Sequence, residues 1–337
     1  MSVVVFDADV LGRHRTGDET YALNLLRELG PLTAEAGIRL VAVTRHPELV
    51  PDGVEPFRLA ARSQEVRMAW TLPRALRGLG AALSHTQHAL PLRSPCPGVV
   101  TIHDVSFARD PSVMGWKDRT VFRLVVPRAL RGATRIFTVS ERTKRDLVEL
   151  YSVDPDHVLV TPNGVDPAFT PGPGSHDYVL SVGAVQRRKN QLAALQAADA
   201  AGLPLVVVGP EKDASIAAEL RTGGARLEGY VETARLVELY RGAACLVQSS
   251  SYEGFGLPVV EAMASGTPVV AIDEPALREV AGDAAVVVGA ASLADGIRTA
   301  LTERERLVAA GIERARAFSW RTAAERTLAV YREILGT

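Results

Sequence analysis

The sequence predicts an α/β protein built from two Rossmann-like domains in succession. Short continuous apolar runs, typical of strands buried in a parallel sheet, alternate with segments of helical period. The alternation starts again after residues 166–177, which are rich in proline and glycine and are typical of a linker. A length of 337 residues suits two domains. We therefore expect an N-terminal domain over residues 1–165 and a C-terminal domain over residues 178–318, facing each other across a cleft.

Composition and charge exclude several classes of protein. Hydrophobic residues at 47% and charged residues at 23% are globular values. A net charge of −1 lacks the basic excess of a general nucleic-acid binder. No apolar run approaches the roughly 20 residues of a membrane-spanning helix, and the first residues do not resemble a signal peptide. The two cysteines, Cys96 and Cys245, lie far apart and indicate buried thiols in a reducing compartment, so we expect a cytoplasmic protein.

The first domain is predicted from its apolar runs. Strands are expected at Val3–Phe6, Ile38–Val43, Val99–Ile102, Arg135–Val139 and His157–Thr161. After the first strand, Ala22, Leu25 and Leu29 recur at helical spacing and predict an amphipathic helix. Ser140 is suited to cap the start of a helix after the fourth strand.

Several polar residues of the first domain are candidates for chemistry. Asp7 and Asp9 could hold Mg²⁺ through carboxylate oxygens, but no third ligand lies nearby, so this reading is not favoured. His85 and His88 lack further well-spaced ligands for a metal, and a role in a substrate loop is favoured over a structural one. His103 ends a buried strand, at the edge where open α/β sheets bind ligands.

The second domain repeats the strand and helix pattern. Strands are expected at Tyr178–Val182, Leu205–Val208, Arg226–Val231, Ala243–Val247 and Ala285–Val288. The turn after the first of these carries Arg188 and Lys189. Basic residues at a strand-to-helix junction are suited to bind a pyrophosphate, arginine as a fork and lysine as a point charge. A solvated basic turn is the alternative.

Residues 249–271 predict a glycine turn, a helix and a strand. The turn is Glu253-Gly254-Phe255-Gly256, and Pro258 suits the first turn of the helix. Exposed amides and the positive helix end would stabilise an anionic ligand. Glu253 and Glu261 frame this turn, and carboxylates accept hydrogen bonds from sugar or ribose hydroxyls. The stretch therefore predicts a ligand that carries both phosphate and hydroxyl groups.

The run from Glu253 to Glu261, EGFGLPVVE, followed by AMASGTPVVA, resembles the E-x7-E signature of the retaining glycosyltransferases of the GT-B fold, family 4 (glycosyl transferases group 1). The Arg-Lys-Asn run at residues 188–190 and Phe318-Ser-Trp320 extend the resemblance over nearly the whole chain. It implies two Rossmann-like domains and a C-terminal helix, residues 319–337, that crosses back onto the first domain. It also implies transfer of a hexose of the mannose or glucose type from a nucleotide diphosphate sugar to an acceptor hydroxyl, with retention and without a metal.

The resemblance also assigns roles to residues. Glu253 would hold the donor sugar, Glu261 the ribose, Arg188 and Lys189 the leaving diphosphate, and His103 would place a polar group near the transferred sugar. The implied catalytic residues are Glu253, His103, Arg188 and Lys189. The implied donor-binding residues are Gly17, Arg188, Lys189, Tyr230, Val231, Glu253, Gly254, Phe255, Gly256, Leu257 and Glu261. The donor would be of the GDP-mannose or UDP-glucose type, no further cofactor is expected, and the acceptor would be a sugar, a lipid-linked molecule or a small molecule.

Four other functions were compared with the sequence. A GT-B sugar-nucleotide epimerase and a catalytically silent nucleotide-sugar-binding protein are the main alternatives. A glycosidase would use two carboxylates but would not explain Arg188 and Lys189. A dinucleotide oxidoreductase would need G-x-G-x-x-G after the first strand, and that spacing is missing.

Residues 116–135 interleave arginines and a lysine with apolar residues such as Trp116, Phe122 and Val126. A basic face beside an apolar one can lie on an anionic bilayer. Pro127 is expected to interrupt this helix, and packing of the apolar residues into the core is favoured. Peripheral contact with the inner membrane surface is the second hypothesis.

Overall fold

The computed structural model describes residues 1–13, 16–59, 61, 63–110 and 116–337, without the side chains of residues 16 and 116–119. The chain folds into two compact units. The first contains Met1–Gly164 and Trp320–Thr337, and the second contains Val165–Ser319. The first change of unit thus falls one residue before the boundary expected from the sequence.

The first unit contains a seven-stranded parallel sheet. Its strands are β1 Ser2–Asp7, β2 Ile38–Thr44, β3 Glu55–Arg58, β4 Leu83–Gln87, β5 Gly98–Ile102, β6 Arg135–Thr138 and β7 Val158–Val160. They lie in the order β3-β2-β1-β4-β5-β6-β7. The order reverses direction between β1 and β4, and ligands of doubly wound sheets bind at the carboxyl ends of the strands at such a switch point.

Helices join these strands. They are α1 Thr16–Glu35, α2 Gln64–Val66, α3 Leu72–Gly78, α4 Ser106–Arg109, α5 Trp116–Gly132 and α6 Glu141–Tyr151, with a π-helical turn at Arg67–Thr71 between α2 and α3. Short 3-10 turns lie at Pro47–Leu49 and Pro155–His157. The predicted cap of α6 is confirmed, because Ser140 Oγ accepts a hydrogen bond from the Thr143 amide at 3.1 Å.

Helix α5 corrects one expectation. It runs through Pro127 without a break, so the predicted interruption is wrong. Proline removes one backbone donor, and the helix around it is held by Val126, Ala129 and Leu130, which are buried in the core of the first unit. In the part of the chain that the structure describes, no helix is both long enough and apolar enough to cross a bilayer.

The second unit contains a six-stranded parallel sheet. Its strands are β8 Tyr178–Val182, β9 Leu205–Val208, β10 Arg226–Gly229, β11 Ala243–Gln248, β12 Val269–Ile272 and β13 Val286–Val288, in the order β10-β9-β8-β11-β12-β13. The helices are α7 Gln191–Ala200, α8 Ala214–Thr222, α9 Thr233–Gly242, α10 Leu257–Ala264, α11 Pro275–Ala281, α12 Leu293–Thr302 and α13 Arg304–Ala315. Short 3-10 turns lie at Arg187–Lys189, Gly282–Ala284 and Ala290–Ser292. The switch point of this sheet lies between β8 and β11.

The proline- and glycine-rich segment 166–177 packs against α9 of the second unit. The ring of Phe169 lies edge-on to Tyr240 at 5.7 Å, and Arg241 Nε donates to the Thr170 carbonyl at 2.8 Å. A Cβ atom at Gly174 would lie 1.9 Å from the Arg241 carbonyl oxygen. Glycine is therefore required there for close approach of two backbones.

The last helix, α14 Trp320–Leu335, packs against α1 in the first unit. Tyr331 Oη lies 2.5 Å from His85 Nδ1, and His85 Nε2 lies 2.7 Å from Thr101 Oγ1. Burial lowers the pKa of His85 to about 3, so its ring is neutral. His85 is thus a structural residue inside β4, and its predicted role in a substrate loop is wrong.

The two acids that follow Phe6 are bound by arginines. Arg67 is buried and donates to Asp7 Oδ1 at 2.6 Å, and its Nε lies 3.2 Å from Asp9 Oδ2. Arg45 Nε lies 3.1 Å from Asp9 Oδ1, and Arg13 also pairs with Asp9. The carboxylates that an Mg²⁺ ion would need are therefore already paired with arginines.

We predict that Tyr331→Phe lowers the free energy of unfolding by about 1–3 kcal/mol, because it leaves a buried histidine nitrogen without its hydrogen-bond partner. Urea unfolding of both proteins measures the change. Tyr151→Phe, at a partly exposed position of the same unit, is the control and should change stability far less. Equal stability of Tyr331→Phe and wild type would show that this bond does not hold α14.

Candidate functional site

The loops that follow β8 and β11 are joined by hydrogen bonds. The Ser251 amide donates to the Arg188 carbonyl at 2.9 Å, and Ser249 Oγ donates to the Lys189 carbonyl at 2.8 Å. Since β8 and β11 are parallel neighbours at the switch point, both loops leave the same edge of the sheet. The basic turn and the first carboxylate of the E-x7-E run are therefore brought together.

Three charged side chains meet at this edge. Lys189 Nζ lies 2.6 Å from Glu253 Oε1, and Arg188 Nη1 lies 3.3 Å from Glu253 Oε2. The Arg188 and Lys189 side chains are only 14% and 13% exposed, so the turn is not a solvated surface feature. We call Arg188, Lys189 and Glu253 the ion cluster, and its net charge is +1 when all three are ionised.

The two cations of the ion cluster keep Glu253 ionised. Burial alone would raise the pKa of this carboxyl, but the charges of Lys189 and Arg188 outweigh it and lower the pKa to about 2. Gln248 Nε2 also donates to Glu253 Oε1, at 2.6 Å. Glu253 is therefore an ionised, fully oriented acceptor at neutral pH.

The glycine turn positions the start of α10. Gly256 precedes the helix with φ of +107°, and a Cβ atom there would lie 2.9 Å from Leu277 Cδ2, so both backbone and space require glycine. The ring of Phe255 packs edge-on to Phe318 at 5.6 Å. Pro258 has no amide hydrogen and the Val259 amide donates to the Gly256 carbonyl at 2.9 Å, so the Leu257 amide and the aligned peptide dipoles of α10 give this end its positive potential.

Glu261 lies in a different environment from Glu253. Its carboxyl is buried in α10 and accepts a hydrogen bond from Tyr240 Oη at 2.8 Å. Burial raises the pKa of Glu261 to about 7, with a further increase from the charge of Asp166, despite the hydrogen bond from Tyr240. The two carboxylates of the run thus differ in pKa by about five units on these values.

The remaining predicted residues are carried by other elements of the fold. Tyr230 and Val231 follow β10, at the far side of the second sheet, and Tyr230 is 47% exposed. Gly17 is exposed in the first turn of α1, in the first unit. His103, also in the first unit, follows β5 and lies 2.8 Å from Gln87 Oε1 through its Nε2.

Two site residues were not predicted from the sequence. Gln248 ends β11 and contacts Glu253; a polar residue that closes an apolar strand was the available signal. Tyr240 comes from α9, 21 residues before Glu261 in the sequence. Nothing in the local pattern distinguishes it from a core tyrosine, and only the packing of α9 beside α10 reveals its role.

The comparison with known families agrees with this geometry. The sequence profile described as "Glycosyl transferases group 1" matches residues 167–318, and the one described as "Glycosyltransferase Family 4" matches residues 15–169. The chain belongs to the group 1 glycosyltransferases. Among the relatives of this glycosyltransferase is O-antigen chain mannosyltransferase B of Escherichia coli. It is 29% identical over 328 residues, which is 87% of this chain and 83% of the relative.

Solved structures establish that this glycosyltransferase has the GT-B fold. Sucrose-phosphate synthase from Thermosynechococcus elongatus matches with a TM-score of 0.81 at 20% identity, over 100% of both chains. HepE of Anabaena, in complex with UDP-glucose, matches with a TM-score of 0.74 at 15% identity, over 99% of this chain and 100% of that one. At such identities the likeness shows the fold alone. The predicted α/β class with two Rossmann-like domains is confirmed.

We predict that Glu261 makes the stability of the glycosyltransferase depend on pH. Its folded-state pKa of about 7 lies above the ordinary value of 4.5, so the folded protein holds this proton more tightly. Stability should therefore fall as pH rises from 4.5 to 7, by roughly 1–3 kcal/mol.

Glu261→Gln should remove this part of the pH dependence, and chemical denaturation at a series of pH values measures it. Glu305→Gln, at an exposed position, is the control. Parallel stability curves for Glu261→Gln and wild type between pH 4.5 and 7.5 would contradict the assignment.

Proposed function

We propose that the protein is a retaining hexosyltransferase that transfers a hexose of the mannose or glucose type from a nucleotide diphosphate sugar to an acceptor hydroxyl. Family membership supports glycosyl transfer. The observation that carries the finer proposal is the ion cluster at the switch point of the second sheet, beside the start of α10. This arrangement suits a ligand with both a diphosphate and hydroxyl groups.

The cations of the ion cluster would stabilise the leaving group. As the glycosidic bond breaks, negative charge develops on the diphosphate. Arg188, Lys189 and the amides at the start of α10 are positive groups that the fold already holds in place, so little reorganisation accompanies the reaction. Because side chains supply this charge, the proposed reaction needs no metal ion.

The carboxylates would bind the hydroxyl groups of the donor. Glu253 is ionised and can accept hydrogen bonds from the transferred sugar. Glu261, supported by Tyr240, would accept hydrogen bonds from the ribose, and Tyr230 with Val231 would border the base. Gly17 and His103 are proposed as further donor-binding residues. Burial lowers the pKa of His103 to about 4, so its ring is neutral, and because its Nε2 donates to Gln87 its Nδ1 is left as a hydrogen-bond acceptor.

The favoured mechanism is attack of the acceptor on the same face of the sugar from which the diphosphate departs. The leaving phosphate oxygen takes the proton of the acceptor hydroxyl, and the new glycosidic bond keeps the anomeric configuration. A sugar-nucleotide epimerase or a silent binding protein would need the same charged groups for its ligand. Turnover with retention separates the proposal from both alternatives.

A donor panel tests the proposal directly. Likeness to a mannosyltransferase of Escherichia coli supports mannose as the transferred sugar, so GDP-mannose is tested first, and UDP-glucose and ADP-glucose complete the panel. One donor should raise the midpoint of thermal unfolding and be slowly hydrolysed, and EDTA should leave hydrolysis unchanged. Absence of stabilisation and turnover with every donor would refute a hexosyltransferase of this type. A strict requirement for a divalent ion would refute the metal-free mechanism.

We predict that Lys189→Met lowers the rate of transfer by about a hundredfold, the scale of a lost charged donor to a developing anion. Arg187→Met is the matched control, since Arg187 is an exposed residue of the same basic turn. Lys189→Met also removes one partner of Glu253, so its effect is measured in the Glu253→Gln background as well. No further loss of rate from Lys189→Met in that background, or a loss below threefold in Lys189→Met alone, would mean that Lys189 only balances Glu253.

The outer face of α5 supports a second proposal, peripheral contact with an anionic membrane that carries the acceptor. The apolar residues of α5 divide between two faces. Val126 is buried and Phe122 packs on Phe107 at 5.2 Å, so these two belong to the core, as favoured from the sequence. Leu124 is 71% exposed, and Arg128 and Arg131 are also exposed. An apolar residue among exposed arginines suits the surface of an anionic bilayer.

We predict that the protein sediments with anionic vesicles at low salt and is released as salt is added, because the attraction is screened. Leu124→Ser should weaken sedimentation by removing the exposed apolar contact. Leu301→Ser, a change at another exposed leucine, is the control. Full recovery of the wild type in the supernatant at low salt would indicate an acceptor that is not in a membrane.

A further inference from the structure

Three potential metal ligands of the first unit converge at the switch point of its sheet. Asp18 lies in the first turn of α1, which follows β1; His88 follows β4; and His103 follows β5. Strands β1, β4 and β5 are consecutive neighbours and run parallel, so their carboxyl ends lie side by side. The topology thus brings together residues that are 70 and 15 positions apart in the chain.

The distances suit a small cation. One ligand atom from each of Asp18, His88 and His103 lies within 4.8 Å of the other two. Asp18 Oδ2 and His88 Nε2 are 3.6 Å apart. Tetrahedral Zn²⁺, with bonds of 2.0–2.2 Å, separates its ligand atoms by about 3.4 Å. The side chains of His88 and Asp18 are 20% and 34% exposed, so an ion can reach them and they have room to close the remaining distance.

The surrounding residues orient the two imidazoles. Gln87 Oε1 accepts a hydrogen bond from His103 Nε2 at 2.8 Å, which leaves Nδ1 with the lone pair. Histidines that bind metals commonly have such a partner on the other nitrogen. The ring of Tyr21 lies edge-on to His103 at 4.7 Å, and the ring of Phe122 lies edge-on to His88 at 5.7 Å.

The backbone of His88 is held in an unusual conformation. Its φ is +60°, in the left-handed region that residues other than glycine seldom occupy, and its amide donates to the Thr101 carbonyl at 2.9 Å. Strain of this kind persists where the surrounding structure imposes it, and it is frequent at ligand sites. In this chain it places the His88 side chain beside Asp18 and His103.

We propose that Asp18, His88 and His103 form a site for a transition-metal cation, with Zn²⁺ the preferred ion. Two imidazoles and one carboxylate are a ligand set that suits Zn²⁺ rather than Mg²⁺ or Ca²⁺, which prefer oxygen ligands. With three protein ligands, a fourth position of the ion is open to water or to a hydroxyl group. The site consists of residues of the first unit, whereas the ion cluster consists of residues of the second unit, and His103 is the one residue that it shares with the proposed donor-binding set.

Metal binding to the full chain tests this site without any donor or turnover. The protein, free of a histidine tag and stripped with EDTA, is titrated with Zn²⁺ by calorimetry, and Co²⁺ reports the ligand geometry through its visible absorption. We expect one ion per chain. His88→Asn, which keeps a residue that tolerates the left-handed backbone, and Asp18→Asn should each weaken binding by at least about tenfold.

His46→Ala is the matched control, because His46 Nδ1 lies 3.0 Å from Glu48 and forms a histidine–carboxylate pair outside the site. It should bind Zn²⁺ as the wild type does, and all variants should keep the thermal unfolding midpoint of the stripped protein. Absence of saturable Zn²⁺ binding, or equal affinity of wild type, His88→Asn and Asp18→Asn, would overturn the proposal. Since no step uses a nucleotide sugar, this result is independent of the test of glycosyl transfer.

Discussion

Parallel pairing of β8 with β11, in which Leu180 lies opposite Leu246, ends both strands at one edge of the second sheet. The basic turn follows one strand and the glycine turn follows the other, so two segments more than 60 residues apart share one site. Backbone hydrogen bonds between the two loops then fix the turn that carries Arg188 and Lys189. The ion cluster depends on this arrangement, because neither loop alone could hold a lysine 2.6 Å from a buried carboxylate.

Because the ion cluster is largely buried, each of its charges requires the others. A buried carboxylate without a partner is costly, and so is a buried lysine. Glu253, Lys189 and Arg188 therefore have to be present together, and the lowered pKa of Glu253 reflects this. Glu261, eight residues further along the chain, is buried with a neutral tyrosine instead of a cation, and its pKa is raised. Two glutamates of one motif thus have pKa values shifted in opposite directions, because their neighbours differ.

The two sheets share a strand topology but carry different side chains at the corresponding edge. Both reverse strand order after their first strand, and both carry polar side chains at that edge. In the second unit these are cations and a carboxylate, which suit a diphosphate and hydroxyl groups. In the first unit, Asp18 and two histidines replace them and suit a transition metal. Helix α14 also packs in the first unit, where the Tyr331 hydroxyl forms a hydrogen bond with His85 in β4. His88 follows the carboxyl end of the same strand.

Most strands, the α10 helix, the glycine turn and the family could be predicted from the sequence, because these depend on local periodicity, on glycine and proline geometry, and on a contiguous run of residues. Strands β3 and β4 were not predicted, since their sequences, EPFR and LSHTQ, are not continuous apolar runs. Tyr178–Val182, Leu205–Val208 and Leu257–Ala264 form the expected elements. Contacts between side chains that are distant in the sequence depend on how the strands are ordered in each sheet. No local pattern shows that Asp18 approaches His88, that Tyr240 supports Glu261, or that His85 is enclosed by Tyr331 and Thr101. The physical reason is that strand order, rather than distance along the chain, sets which side chains share a sheet edge, and burial then sets their charge.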